Sequence, residues 1–215
     1  MALTFYYGSG SPFAWKVWLT LEHKGIAHEA KRLHFDKGET KSPEFLKVNP
    51  RAQVPAILDD GFALAQSNAI CEYLEERYPE KPLLPKDVKA RAVIRRMIAE
   101  ADDKLYNAAS DLMDKVLYVK PEERDAAAID ESKDKLRAEL TVWEGFLQAD
   151  YFGGNALSLA DFAVYPYMRM PVRVEERAPG LGLKRGDLPQ RVAAWLARIE
   201  ALPYYAKTIP PHWKA

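Results

Sequence analysis

Three separated segments of the chain carry groups that could bind, in turn, a thiolate, an extended backbone and a carboxylate. The first is the run Tyr6-Tyr7-Gly8-Ser9-Gly10-Ser11-Pro12-Phe13-Ala14, where Ser11-Pro12 has the form of a helix N-cap followed by proline at the first helical position. A helix N-terminus presents unpaired N–H groups and a partial positive charge, and both favour a bound thiolate. The Ser11 hydroxyl could donate to such a sulfur. A free thiol has a pKa of about 8.5, and each unit of lowering takes about 1.4 kcal/mol, so one charge-assisted hydrogen bond plus a helix end could supply about one or two units. The same serine also reads as a plain N-cap.

The second segment is Asn49-Pro50-Arg51-Ala52-Gln53-Val54-Pro55, running into Ala56-Ile57-Leu58. A proline opening a strand cannot donate to the ladder. If the Val54–Pro55 bond is cis, the N–H and C=O of Val54 turn outward and can pair with an extended peptide as an added strand. The alternative is an ordinary trans proline at a sheet edge. The third segment is Gln66-Ser67, ahead of the apolar positions Ile70, Tyr73 and Leu74. Free N–H groups there, with the Ser67 hydroxyl, suit a carboxylate; Ser67 reads equally as an N-cap.

The elements that must position these segments follow from hydrophobic period. Leu3 to Tyr7 reads as a buried strand, and Ala14, Val17, Trp18 and Leu21 recur at helical spacing up to Gly25. Ala27 to Phe35 reads as a second strand, and residues 36–50, with Gly38, Pro43 and Pro50, as loop with at most one short helix. Val54 to Leu58 and Phe62 to Ala65 form a hairpin about Asp59-Asp60-Gly61, and Ser67 caps the helix that Pro79 ends. The order is βαβ, a connection, then ββα. Residues 79–89 hold three prolines and read as a linker, which sets domains at 1–78 and 90–215. Everything beyond is helical. Ile94, Ile98, Ala101, Leu105, Ala108, Leu112 and Val116 keep one face of a single long helix; Leu136, Leu140, Trp143 and Leu147 mark a second, and Val192, Trp195, Ile199 and Leu202 a last. Between them Ser158-Leu159-Ala160-Asp161 forms a capping box.

Bulk composition narrows the function. Lys plus Arg and Asp plus Glu both number 31, so no long-range field draws the chain to nucleic acid or an anionic membrane. No apolar run reaches the length of about 18 residues that a bilayer requires. The first seven residues lack a basic start and a cleavage site, and a single cysteine, Cys71, excludes an internal disulfide or a clustered-thiolate metal site. A reducing cytoplasm fits these features, and no metal is expected. Arg91, Arg95 and Arg96 form a basic cluster that reads as a solvated face, or else as a contact for an anionic substrate or partner.

Taken together, Ser11-Pro12-Phe13-Ala14 opening a helix, Asn49-Pro50 followed by Val54-Pro55 before a strand, Gln66-Ser67 followed by Ala69-Ile70, and the Ser158–Asp161 capping box resemble the cytosolic glutathione transferases. The resemblance runs from Leu3 to about Leu202. It implies an α/β thioredoxin-like N-terminal domain, an all-α second domain and a cis Pro55. It also implies glutathione as co-substrate, paired through its cysteinyl backbone with Val54, its γ-glutamyl carboxylate at Gln66 and Ser67, and its glycyl end near Gln53 and Lys41. The family usually carries an acidic residue where Gln66 stands, so the pair with the γ-glutamyl ammonium is lost here.

By the same resemblance Ser11 matches the catalytic serine of the serine-type, tau-like classes, with Ser9 and Tyr7 as rival thiolate donors. The disulfide-reducing classes carry cysteine there, and Cys71 reads as a packed core thiol rather than a substitute. The implied reaction is attack of the thiolate on a small hydrophobic electrophile, with Phe13, Tyr106, Ser110 and Met113 as electrophile-site candidates and a homodimer as the working form. Isomerisation or dehalogenation would use the same thiolate, and a non-catalytic binding or regulatory protein on this fold is the alternative from another class.

Overall fold

The computed structural model describes residues 3–213. The chain forms two compact units: one runs through Leu83 and resumes at Leu202, and the other spans Leu84–Ala201.

The first unit is built on a four-stranded mixed sheet of order β2-β1-β3-β4, from β1 (Leu3–Tyr7), β2 (His28–Arg32), β3 (Ala56–Asp59) and β4 (Phe62–Ala65). Strands β1 and β2 are parallel, in register from Leu3 against His28 to Tyr7 against Arg32, and β3 is antiparallel to both β1 and β4. The parallel pair needs a crossover, which α1 (Pro12–Lys24) supplies. With α3 (Ser67–Arg77) after β4, this is the thioredoxin-like arrangement expected from the sequence. Alternation along β1 sorts the layers: Phe5 and Tyr7 meet Trp18 of α1, while Tyr6 turns to the opposite face and Phe45 of α2 (Pro43–Val48). At the β3–β4 turn Asp60 and Gly61 both have positive φ, as a two-residue type I′ turn requires. Helix α1 ends at Gly25, whose left-handed backbone (φ 68°) lets its N–H reach back to the last turn.

Three boundaries differ from expectation. The second strand is five residues rather than the nine of Ala27–Phe35, because the chain leaves β1 after Arg32 to build the 3₁₀ turn Glu39–Lys41 and α2. Val54 lies outside β3, since the backbone turns at Pro55 before the ladder begins. Ser67 does not cap α3: it is the first helical residue and buried, and the capping position falls to Gln66, whose φ is 74°.

The second unit is all helical: α4 (Val88–Glu100), a π turn at Ala101–Leu105, α5 (Tyr106–Leu117), α6 (Ala126–Phe146), α7 (Leu159–Arg177) and α8 (Gln190–Glu200). The single long helix expected over 94–116 is therefore interrupted. The wider π turn shifts the phase of α5, so Ala109 rather than Ala108 is buried. Helix α4 also starts two residues inside the expected linker. The capping box opens α7, where Asp161 accepts from the Ser158 N–H at 2.8 Å and the Ser158 hydroxyl at 2.7 Å.

The segment after Leu202, expected in the helical domain, packs instead on α1 of the first unit. Its short helix α9 (Tyr205–Thr208) buries the Thr208 hydroxyl against Trp15, whose Nε1 donates to it at 3.0 Å.

Candidate functional site

Three turns of the first unit border one cavity of about 360 Å³. The β1–α1 turn contributes Ser11 and Phe13. Ser11 has extended backbone, its N–H donates to Gly8 O at 3.1 Å, and its Oγ accepts from Ala14 N–H at 3.2 Å. It is thus an N-cap that also faces the cavity. With its oxygen accepting from Ala14, its one proton is available to an acceptor in the cavity. Gly8 and Gly10 make the approach possible: a Cβ on Gly8 would fall 2.1 Å from the Phe35 ring, and Gly10 has φ 87°.

The segment before β3 contributes Gln53, Val54 and Pro55, and the Val54–Pro55 bond is cis. Asn49 shapes this loop from within. It is 4 % exposed, its Nδ2 donates to Gln53 O at 2.7 Å, and its Oδ1 accepts from Arg51 N–H at 3.1 Å. The β4–α3 turn contributes Gln66 and Ser67. A non-glycine residue at φ 74° is strained, and Gln66 holds that strain where the chain enters α3 beside the cavity.

Seven of the residues singled out from the sequence therefore meet at one place. Four further residues line the cavity: Asn49 and Ala52, which belong to the second segment but were given no role in the site, and Phe35 and Thr40, which no pattern marked. They sit outside the strands and α-helices, Thr40 in the short 3₁₀ turn, where no periodicity marks an inward side; only the Asn49-Pro50 pair gave a turn signal. Lys41 is exposed on the 39–41 turn and is not part of the lining. No charged side chain is among the lining residues, so an anion there would rely on helix N-termini and hydroxyl or amide donors.

The rival hydroxyls are placed differently. Tyr7 is buried between Phe5 (5.6 Å) and Trp18 (4.7 Å), and burial raises its phenol above the usual range, with Arg32 opposing. Ser9 Oγ lies 2.6 Å from His212 Nδ1, and Ser9 is not among the residues lining this cavity. Cys71 is buried on α3, its Sγ 3.5 Å from Thr20 Oγ1. Lys16, a residue no sequence pattern marked, is buried on α1 with Nζ 3.1 Å from Asn68 Oδ1 and 5.5 Å from the centre of the Phe13 ring.

Within the helical unit, Tyr106 opens α5 with its ring 5.2 Å from that of Tyr167, and burial, then Asp114, raise its phenol pKa. Ser110 Oγ donates to Asn107 O at 3.4 Å, and Met113 is half-buried. Arg96 pairs with Glu100 at 2.7 Å and stacks over Phe146. Among the described residues no cluster of His, Cys, Asp or Glu could hold a metal ion, and no helix is long and apolar enough to cross a membrane.

Comparison with known proteins matches both the N-terminal and the C-terminal part of the chain. Residues 10–77 match the family model for the glutathione S-transferase N-terminal domain, and residues 110–203 match that for the C-terminal domain. The chain is 32 % identical over 220 residues to glutathione S-transferase A of Pleuronectes platessa, covering 98 % of this chain and 92 % of the relative. A glutathione S-transferase structure from the Antarctic clam Laternula elliptica superposes with a TM-score of 0.80 at 32 % identity, covering 100 % of this chain and 94 % of the clam chain. A glutathione transferase from Burkholderia graminis, solved with two glutathione molecules bound per subunit, superposes at 0.85 with 26 % identity, covering 100 % and 90 %.

Proposed function

This chain belongs to the glutathione S-transferase family, and we propose that it binds glutathione in the cavity of its first unit and uses Ser11 to hold the thiol as a thiolate. The observation that carries this reading is the Ser11 hydroxyl. It borders the cavity at the head of α1, and its oxygen already accepts from Ala14, which leaves its proton to donate to sulfur. Ser9 shares its hydrogen bond with His212, and Tyr7 lies in the core, so neither competes on equal terms. A serine at this position favours a serine-type mechanism over a cysteine-type one.

The peptide is read along the same wall. Val54 offers its backbone to the cysteinyl residue, and the N–H groups at the start of α3, with the Ser67 hydroxyl, take the γ-glutamyl carboxylate. Gln53 lies on the side of the glycyl end. The thiolate then attacks an electrophilic carbon, forming a C–S bond as the leaving group departs or as a conjugated acceptor takes up the electron pair. Holding both reactants together supplies much of the acceleration. Phe13 and Phe35 give this cavity an apolar side, which suits a small hydrophobic electrophile.

Calorimetric titration with glutathione tests the reading. Saturable binding is expected, weakened about ten-fold in Ser67→Ala, the loss of one charge-assisted hydrogen bond. No binding at millimolar glutathione would move the weight to a non-catalytic role on this fold. The working form is proposed to be a homodimer, so light scattering should return twice the 24.4 kDa chain mass rather than that mass itself.

A further inference from the structure

The turn that carries Ser11 is tied to α1 at one end, by the Ser11 cap and by Trp15 N–H to Ser11 O at 3.0 Å, while its glycines offer no side chain to hold the rest. Gly8 and Gly10 have no side chains and a large conformational entropy to lose, and within the turn the Ser11 N–H to Gly8 O bond is its backbone closure. The segment after Leu202, however, lies against it. Tyr7, Ser9 and Ser11 share a narrow recess with Thr208 and Pro210. His212 Nδ1 is 2.6 Å from Ser9 Oγ, and its Cε1 is 2.8 Å from where a Cβ on Gly10 would stand, so the ring lies directly on the glycine.

His212 is itself held. It belongs to the 3₁₀ turn Pro211–Trp213, closed by Trp213 N–H to Pro210 O at 2.8 Å. The Trp213 ring meets Trp15 of α1 edge-on at 5.1 Å, and Trp15 in turn bonds the buried Thr208. A chain of contacts thus runs from the body of α1, through the returning segment, back to the turn at that helix's own N-terminus.

We propose that His212 is a positioning residue for the thiolate site, bracing the Gly8–Ser11 turn through Ser9 and Gly10. The proposal rests on the reading of Ser11 as thiolate donor for its catalytic consequence, but not for the brace. The hydrogen bond occupies the Ser9 hydroxyl and fixes the glycine backbone, so Ser11 keeps its cap geometry and its proton keeps one direction. Loss of His212 would leave the cavity lining intact while the donor wanders.

The test uses the full chain with His212→Ala and His212→Asn. An asparagine side chain can set a hydrogen-bonding atom where Nδ1 stands, so it restores the bond to Ser9 without the ring. In the ligand-free protein, amide hydrogen exchange at Ser11 should quicken about five-fold or more in His212→Ala and return towards wild type in His212→Asn. With glutathione bound, ultraviolet titration of the thiolate should show its fraction near neutral pH falling about three-fold in the alanine variant, with Kd changed by less than about two-fold. Unchanged exchange in His212→Ala, or no recovery in His212→Asn, would overturn the brace. Faster exchange with an unchanged thiol titration would overturn the positioning role. If the wild-type chain binds no glutathione, the reading of Ser11 fails by that measurement, and the exchange data alone decide the brace.

Discussion

Ser11 and Ser42 are a matched pair within one domain. Each is followed by proline, and each caps its helix by accepting the third residue's N–H at 3.2 Å, Ala14 for Ser11 and Phe45 for Ser42. Only Ser11 borders the large cavity. Each serine-to-alanine change should therefore cost about 1 kcal/mol of stability in urea, the usual loss of an N-cap oxygen. If Ser11 serves as proposed, only Ser11→Ala should also raise the pKa of bound glutathione, by about one unit, since it alone would remove a donor to sulfur. Equal stability losses with no titration difference would reduce Ser11 to a cap. At this scale the sequence was most informative where a residue type carries a local rule: serine before proline, valine before a strand-opening proline. It was silent on Phe35 and Thr40, which reach the cavity from a hydrogen-bonded turn and a single 3₁₀ turn, each too short to show a period. It also assigned the cap of α3 to Ser67, since no local rule favours a glutamine at φ 74°.

Asp161 shows how one side chain can define a helix and its neighbours. It is fully buried, and its carboxylate accepts from Phe152 N–H at 2.9 Å, Ser158 N–H at 2.8 Å and Trp195 Nε1 at 2.8 Å, besides the Ser158 hydroxyl. Burial pushes its pKa up, and these four bonds pull it down. Truncation leaves three N–H donors inside the helical unit without their acceptor, each worth about 1–3 kcal/mol when unsatisfied. Asp161→Ala should accordingly lose about 4 kcal/mol in urea denaturation, and Asp161→Asn, which keeps one acceptor oxygen, about half as much. An alanine variant within about 1 kcal/mol of wild type would mean that water takes the carboxylate's place. The capping box was legible because its rule is local, serine with an acid three residues on. The π turn between α4 and α5 was not, since seven apolar positions from Ile94 to Val116 fit one unbroken stripe and nothing in their spacing marks the extra residue.

The whole molecule differs most from its sequence where the chain returns. An apolar stripe ending at Leu202 says nothing about which body the next residues join, because Tyr204, Tyr205 and Thr208 make their contacts with α1, about 190 residues earlier. One of those contacts carries a pH dependence. His23 Nδ1 lies 2.8 Å from Tyr204 Oη, and the ring's pKa is lowered from 6.5 to about 4, by burial first and then by the charges of Lys24 and Lys81, with Glu75 opposing. In the folded chain this imidazole is neutral at pH 7 and resists protonation down to about pH 4, whereas in the unfolded chain it takes a proton near 6.5. The unfolded state thus binds more protons between those values, and stability is full above pH 6.5 and falls as pH drops towards 4. Allowing for the part of the ring that water reaches, the loss is on the order of 1–2 kcal/mol. His23→Gln keeps a polar partner for Tyr204 but cannot titrate. Urea midpoints taken at half-unit steps from pH 7.5 to 4.5 should therefore fall less steeply for the variant than for the wild type, the two curves converging towards the acid end. Parallel curves across that window would show that His23 is as easily protonated in the folded chain as in the unfolded one, and that the join between α1 and the returning segment is open to water.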